Sequence, residues 1–277
     1  MTETPIDDDA SADLSNEEEE EVAEREATSA RVVHEVIRRE GDDELGRPAG
    51  SLAWSGFAGG VAISSSIMGE ALLESGLPDA PWRPAVASIG YSLGFLIVVL
   101  GRLQLFTEST LLGVIPVVAQ FTASNMGRLA RLWGLVFVAN LAGTFAIAAL
   151  VHVQAIGLPE HREAMIALSR QLLEHDALAT FRGAIPAGFL MAAIAWTLPA
   201  GRRQEFWIVL MLTYFIALGG FSHVVAGSGE AWLLLLSGQA SLGWVLGGFL
   251  LPALAGNIVG GTLIFALLAH AQVRQEI

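Results

Sequence analysis

Two polar clusters interrupt apolar stretches of this chain, and both contain residues able to do chemistry. The first, LGRLQLFTEST (100–110), places Arg102, Gln104, Thr107 and Glu108 between apolar halves. The second, GGFSHVVAGS (219–228), carries His223, whose nearest charged residues in sequence are Glu205 and Glu230. A charge at the centre of a bilayer costs about 2.5–3.5 kcal/mol on insertion scales, so Arg102 and Glu108 need a partner or a task. Two readings stand for them: a structural clasp between the pair, or Arg102 as a cationic lure for an anion, with Glu108 tuning the charge. His223 has no carboxylate, histidine or cysteine at ligand spacing, which argues against a metal site. Either it is a core histidine hydrogen-bonded to a neighbouring helix, or it is a polar group on a transport path, able to change charge near neutral pH. Phe106 and Phe221 precede Thr107 and His223 by one and two residues. They read as ordinary packed aromatics or as apolar constrictions that exclude hydrated ions.

The surrounding elements are those of a membrane protein. Of 277 residues 53% are hydrophobic and 16% charged, and there is no cysteine, which excludes a disulfide-stapled secreted scaffold. Apolar segments predict spans near 51–73, 84–100 plus 107–121, 129–156, 178–199, 205–220 plus 223–237, and 242–271, each long enough for a hydrocarbon core of about 30 Å. The second and fifth are interrupted by the two polar clusters.

The net charge of −13 resides wholly in residues 1–46, where 17 acids face four arginines; residues 47–277 hold 11 of each. The head has no apolar h-region and is no signal peptide; about its first 14 residues are expected to be disordered. An amphipathic helix follows, with a capping box at Ser15 and Glu18, a stripe of Val33, Val36 and Ile37, and Gly41 as its stop. Three regions result: 1–46, an acidic N-terminal segment; 47–272, the transmembrane domain; and 273–277, a short tail. An N-terminus inside puts ten arginines on cytoplasmic loops against Arg83, Arg162 and Arg170 outside, so both termini are expected in the cytoplasm and the protein in the inner or plasma membrane. The loop GLPEHREAMIALSRQLLEHDA (157–177) has Met165, Leu168 and Leu172 at helical spacing and is expected to lie along the membrane surface.

The halves repeat. ANLAGT (139–144) and GNIVGGT (256–262) each carry an asparagine followed three residues later by glycine, a spacing that permits close helix approach. Thr107 precedes Asn140 by 33 residues and His223 precedes Asn257 by 34. Three spans per half force opposite entry, an inverted 3+3 repeat in which the two broken spans meet near the midplane.

Together, LFTES, GFSHVVAGS, ANLAGT, FRGAIPAGFLMAAIAW and AGNIVGG resemble the formate/nitrite transporter family across roughly residues 50–272. The resemblance implies an all-α, aquaporin-like protomer in a homopentamer, with one pore per protomer passing small monovalent anions or their conjugate weak acids. It places Thr107 and His223 face to face between apolar constrictions, with no cofactor, metal or nucleic acid involved. Departures from the family pattern fall at Gln104, Glu108, Gly188 and Gly227, and the chain lacks lysine altogether. Asn140, Asn257, Gly188 and Gly227 are the expected helix-packing and pore-supporting positions. A neutral-solute or water facilitator and a non-transporting membrane scaffold are the alternative readings. No nucleophile–base pair or cofactor fingerprint points to an enzyme.

Overall fold

The computed structural model describes residues 15, 28–201 and 203–276, and these are helical throughout their regular structure. The order is α1 (Ala30–Gly46), α2 (Ala49–Ile63), α3 (Ser65–Gly76), α4 (Arg83–Leu100), α5 (Phe106–Leu112), α6 (Val114–Ala119), α7 (Ala123–His152), α8 (Pro159–Ser169), α9 (Ala177–Thr197), α10 (Glu205–Leu218), α11 (Val224–Leu236) and α12 (Leu242–Val273). Among the described residues five helices are long and apolar enough to cross a membrane: Ala49–Gly76 (α2 and α3 in continuity), α4, α7, α9 and α12. The expected fifth span is broken where its interruption was read, into two shorter apolar helices, α10 and α11, and the second half of the expected second span is the short pair α5–α6.

Both interruptions terminate a helix in the same way. At the end of α4, Arg102 N–H bonds Val99 O and Leu103 N–H bonds Val98 O; at the end of α10, Gly220 N–H bonds Ala217 O and Phe221 N–H bonds Ile216 O. This is the Schellman pattern, which requires a residue at positive φ just past the helix. Gly220 takes φ +61 freely, whereas Arg102 takes φ +54 with a side chain attached. That conformation costs an L-residue about 1–2 kcal/mol.

Helix α1 is no loosely solvated helix. Ser29 caps it by accepting from Val32 N–H at 3.4 Å, and Val33, His34, Ile37 and Leu45 are buried against the bundle, with Val36 half-buried. The expected stop at Gly41 is corrected: the helix runs on to Gly46, and Gly41 sits buried inside it because a Cβ there would strike Leu112 O and the Pro116 ring. Gly41 is a contact, not a terminator. The expected capping box at Ser15 and Glu18, and the expected disorder of the first residues, lie outside the described residues apart from Ser15.

Helix α8 also packs more deeply than a surface helix. Met165 is buried in a cluster with Ile67, Ala71, Ala148, Val151 and Leu233, so α8 covers one end of the bundle.

Two histidines join the ends of the chain. His34 Nε2 lies 3.1 Å from His270 Nδ1 of α12, with Trp196 edge-on to the His34 ring. Burial first, then the neighbouring His270, holds His34 below its ordinary value of 6.5. The neutral ring is therefore the one that docks. Its contribution is complete above the unfolded value of about 6.5 and is lost as pH falls through the lower folded value. Hydrogen exchange over residues 30–46, corrected for intrinsic rates, is expected to accelerate between about pH 7 and about pH 5, and His34→Gln is expected to abolish that change.

Candidate functional site

Where a membrane helix breaks, the freed backbone groups must find partners inside the protein. In each half one asparagine supplies them. Asn140 Oδ1 accepts from Phe106 N–H at 2.9 Å, and its Nδ2 donates to Gly56 O at 2.7 Å and to Gln104 O at 2.9 Å. Asn257 Oδ1 accepts from Val224 N–H at 2.9 Å, and its Nδ2 donates to Ala184 O at 2.8 Å and to Ser222 O at 3.0 Å. Both amides are fully buried, with both Nδ2 hydrogens donated and Oδ1 accepting one bond.

Each asparagine is reached across a glycine. A Cβ at Gly60 would collide with the Asn140 backbone, and one at Gly188 with that of Asn257. Gly188 is therefore the second half's counterpart of Gly60. Gly227 lies beneath the Phe249 ring, which a Cβ would strike.

These bonds shift the correspondence between the halves. Phe106 N–H and Val224 N–H occupy equivalent places, so the residue matching His223 is Leu105, not Thr107. Thr107 instead stands across from His223, with Oγ1 2.7 Å from Nε2. Both are buried, at 0% and 1% exposure.

His223 is the N-cap of α11. Its Nδ1 accepts from Ala226 N–H at 3.1 Å. A neutral imidazole has one protonated nitrogen, so with Nδ1 accepting, Nε2 carries the hydrogen and donates to Thr107 Oγ1. The Thr107 hydroxyl hydrogen is left free to donate. The Phe95 ring stands edge-on to the imidazole, centroids 5.0 Å apart. Thr110 Oγ1 donates to Thr107 O at 2.6 Å, and Thr262 Oγ1 to Thr110 O at 2.8 Å, which holds α5 against α12. Ser228 Oγ pairs with Thr144 Oγ1 at 2.8 Å, holding α11 against α7. Each short helix is thus tied to the long helix of the other half.

Cavities lie on two sides. One, about 100 Å³, has His223, Phe221, Tyr91, Glu70 and Glu230 on its walls. The other, about 470 Å³ beneath α1, is walled by Arg102, Glu108, Glu40 and Leu112 among others. Arg102 points into the second, its side chain 82% exposed, and its ion pair is with Glu40 at 4.0 Å. The clasp between Arg102 and Glu108 does not form. Phe221 lines the smaller cavity, whereas Phe106 is packed against Phe137 and Trp133 with centroids 5.0 and 5.8 Å away.

Phe95, Tyr91, Glu70 and Glu230 are the residues that sequence reasoning did not assign to the site. Glu70 falls in the first span, Tyr91 and Phe95 in the second and Glu230 in the fifth, so no local motif could join them. The signal available was chemical: Glu70 and Glu230 are carboxylates within apolar helices.

Long apolar helices, two broken ones and a buried polar contact between the breaks define a multi-pass membrane protein of the channel and transporter kind. The chain belongs to the formate/nitrite transporter family, whose model matches residues 31–271. It is 37% identical over 247 residues to Inner membrane protein YfdC of Escherichia coli, covering 89% of this chain and 80% of that one. It is 26% identical over 236 residues to Formate channel FocA of Escherichia coli, covering 75% of this chain and 81% of that one. Its fold matches a solved pentameric formate channel with formate bound, with a TM-score of 0.69 at 17% identity, over 82% of this chain and 98% of that chain. These relatives are membrane proteins and channels, not enzymes.

Replacing Asn257 by Ala leaves Val224 N–H and Ser222 O at the break without this partner, at about 1–3 kcal/mol for each buried unsatisfied group. Asn257→Ala and Asn140→Ala are expected to lower the melting temperature in detergent markedly. Asn257→Asp, which still accepts from Val224 N–H, is expected to fall between Ala and wild type.

Proposed function

We propose that this protein is a channel for small monovalent weak acids of the formate and nitrite class, crossing each protomer of a homopentamer at the Thr107–His223 contact. The protein sits in the cell membrane with both termini in the cytoplasm. The observation that carries this reading is the 2.7 Å hydrogen bond between Thr107 and His223, a buried side-chain contact that joins the two breaks. Membership of the family and the printed function of the FocA relative support it.

The chemistry favours a neutral passenger. A bare anion entering a dry, apolar passage loses its hydration at a cost of many kcal/mol, and a neutral acid loses very little. His223 Nε2–H and the free Thr107 hydroxyl hydrogen supply two donors for the oxygens of a carboxylic or nitrous acid. Phe221 and Phe95 exclude water around them, and Phe106, held in its aromatic cluster, braces the wall that presents Thr107. Arg102 draws anions toward the cavity beneath α1, with Glu108 tempering that charge.

His223 is a poor proton carrier in this arrangement. Both ring nitrogens are engaged, and a proton on Nδ1 would displace Ala226 N–H and uncap α11. Its role is to hold the substrate.

A second reading, a neutral-solute facilitator, is favoured by one observation: carboxylates line both cavities, which repels anions. Stopped-flow swelling with water and glycerol distinguishes it, since a weak-acid channel is expected to pass formic acid far faster than glycerol.

Formate or nitrite uptake into proteoliposomes is expected to rise as external pH falls. His223→Asn keeps a helix-capping acceptor but removes the Nε2 donor; Thr107→Val removes the hydroxyl. Each is expected to cut uptake about tenfold, the equivalent of about 1.4 kcal/mol for one lost hydrogen bond in the barrier. Unchanged uptake in both variants would refute the assignment.

A further inference from the structure

We infer that Glu70, Tyr91 and Glu230 form a proton-holding site on the wall of the smaller cavity, and that it protonates the weak-acid anion before the acid reaches His223. The inference rests on the weak-acid reading above and supplies what that reading lacks, a proton donor. His223 has its two nitrogens occupied by Ala226 N–H and Thr107 Oγ1.

Three observations converge. Glu70 from α3 and Glu230 from α11 line the same cavity of about 100 Å³ as His223. Among the described residues neither carboxyl has a hydrogen-bonding or ion-pair partner. Two carboxylates facing one small, partly open cavity repel each other, and holding a proton between them relieves that repulsion. Third, Tyr91 is only 6% exposed, lines this cavity, and has no hydrogen-bond partner for its hydroxyl among the described residues. The phenol oxygen is not among the buried atoms without a partner, so it opens into the cavity, where a water or a substrate oxygen can reach it. An unmatched hydroxyl beside two unmatched carboxyls is built for a mobile occupant, a proton with its water or the oxygens of an incoming acid.

Other charges near the site do not neutralise it. Glu74, one turn along α3, is held by Arg83 at 2.9 Å, and Arg83 is turned further to Asp79 at 3.4 Å. His175 stands on the cavity wall but is exposed, and Arg170 Nε is bonded to Gln239. His223 closes the inner end.

The transfer balances simply. The O–H bond of the shared carboxyl breaks, its proton forms an O–H bond on the anion, and a carboxylate remains on the Glu70–Glu230 pair. Water on that side returns a proton to the pair. The neutral acid crosses Thr107–His223 and dissociates in the larger cavity, so one anion and one proton move together. Because the cavity walls are acidic, only a substrate that accepts this proton is admitted, which selects basic enough anions over those of strong acids.

The test uses the full chain in proteoliposomes with formate as probe, comparing wild type with Glu70→Gln, Glu230→Gln and the double variant, isosteric changes whose assembly is checked by size exclusion. At about pH 7 the double variant is expected to lose about tenfold in uptake, with the loss shrinking toward about pH 5, where water itself supplies the acid. Uptake that is unchanged or raised in the double variant overturns the inference, a rise meaning that the pair is merely a repulsive rim. A second readout needs no transport: infrared difference spectra at about pH 7 are expected to show a protonated carboxyl band in wild type that the double variant lacks. Identical spectra overturn the proton site whatever the flux. A wild type that takes up neither formate nor nitrite at any pH overturns the weak-acid reading and the delivery role with it, while a carboxyl band lost in the double variant still upholds the proton site.

Discussion

The structure depends on one constraint: a helix broken inside a membrane exposes backbone N–H and C=O groups that water cannot reach. Asn140 and Asn257 meet it, each closing one N–H and one carbonyl at its own break and donating also to a carbonyl of the neighbouring helix, Gly56 O or Ala184 O. Each amide can reach three backbone groups only because Gly60 or Gly188 lets the neighbouring helix come into contact with the asparagine's own backbone. Once the breaks are satisfied, α5 and α11 can begin in the interior, and their first residues can meet. The Thr107–His223 hydrogen bond is a product of that arrangement.

Beginning a helix in the interior also decides what His223 can do. As the cap of α11 it uses Nδ1 for Ala226 N–H, which fixes the hydrogen on Nε2 and points it at Thr107. A residue that holds a helix end and offers one donor is suited to orienting a substrate. In the proposed weak-acid mechanism proton delivery is therefore assigned to other groups, the carboxyls of the adjoining cavity. The acidic cavity walls, unusual for a passage that would carry anions, are consistent with a neutral passenger.

Much of this was legible in the sequence because it is local. Apolar length marked the five long helices, and the paired Asn-x-x-Gly motifs marked the two asparagines that make matching bonds at the breaks. His223 stood out as a lone ionisable group and Thr107 as a polar one in the matching break. The correspondence between them was misread by two residues because spacing alone cannot tell which backbone N–H an asparagine takes; the hydrogen bonds make Leu105, not Thr107, the repeat counterpart of His223. Gly41 read as a helix stop since nothing in sequence reveals that Leu112 and Pro116 press against it. The Arg102–Glu108 clasp failed because Arg102, at positive φ past the end of α4, projects toward Glu40 while Glu108 enters α5. Glu70, Tyr91 and Glu230 were unreadable as a group, being 160 residues apart from first to last and joined only by the packing of α3, α4 and α11.

The central claim is that the passenger crosses the Thr107–His223 contact uncharged. It is tested most directly by recording current and tracer formate uptake together, in voltage-clamped planar bilayers containing the purified protein. Uptake is expected to proceed without current and without response to voltage, accompanied by one proton per formate. Formate-dependent current that accounts for the tracer flux would contradict it.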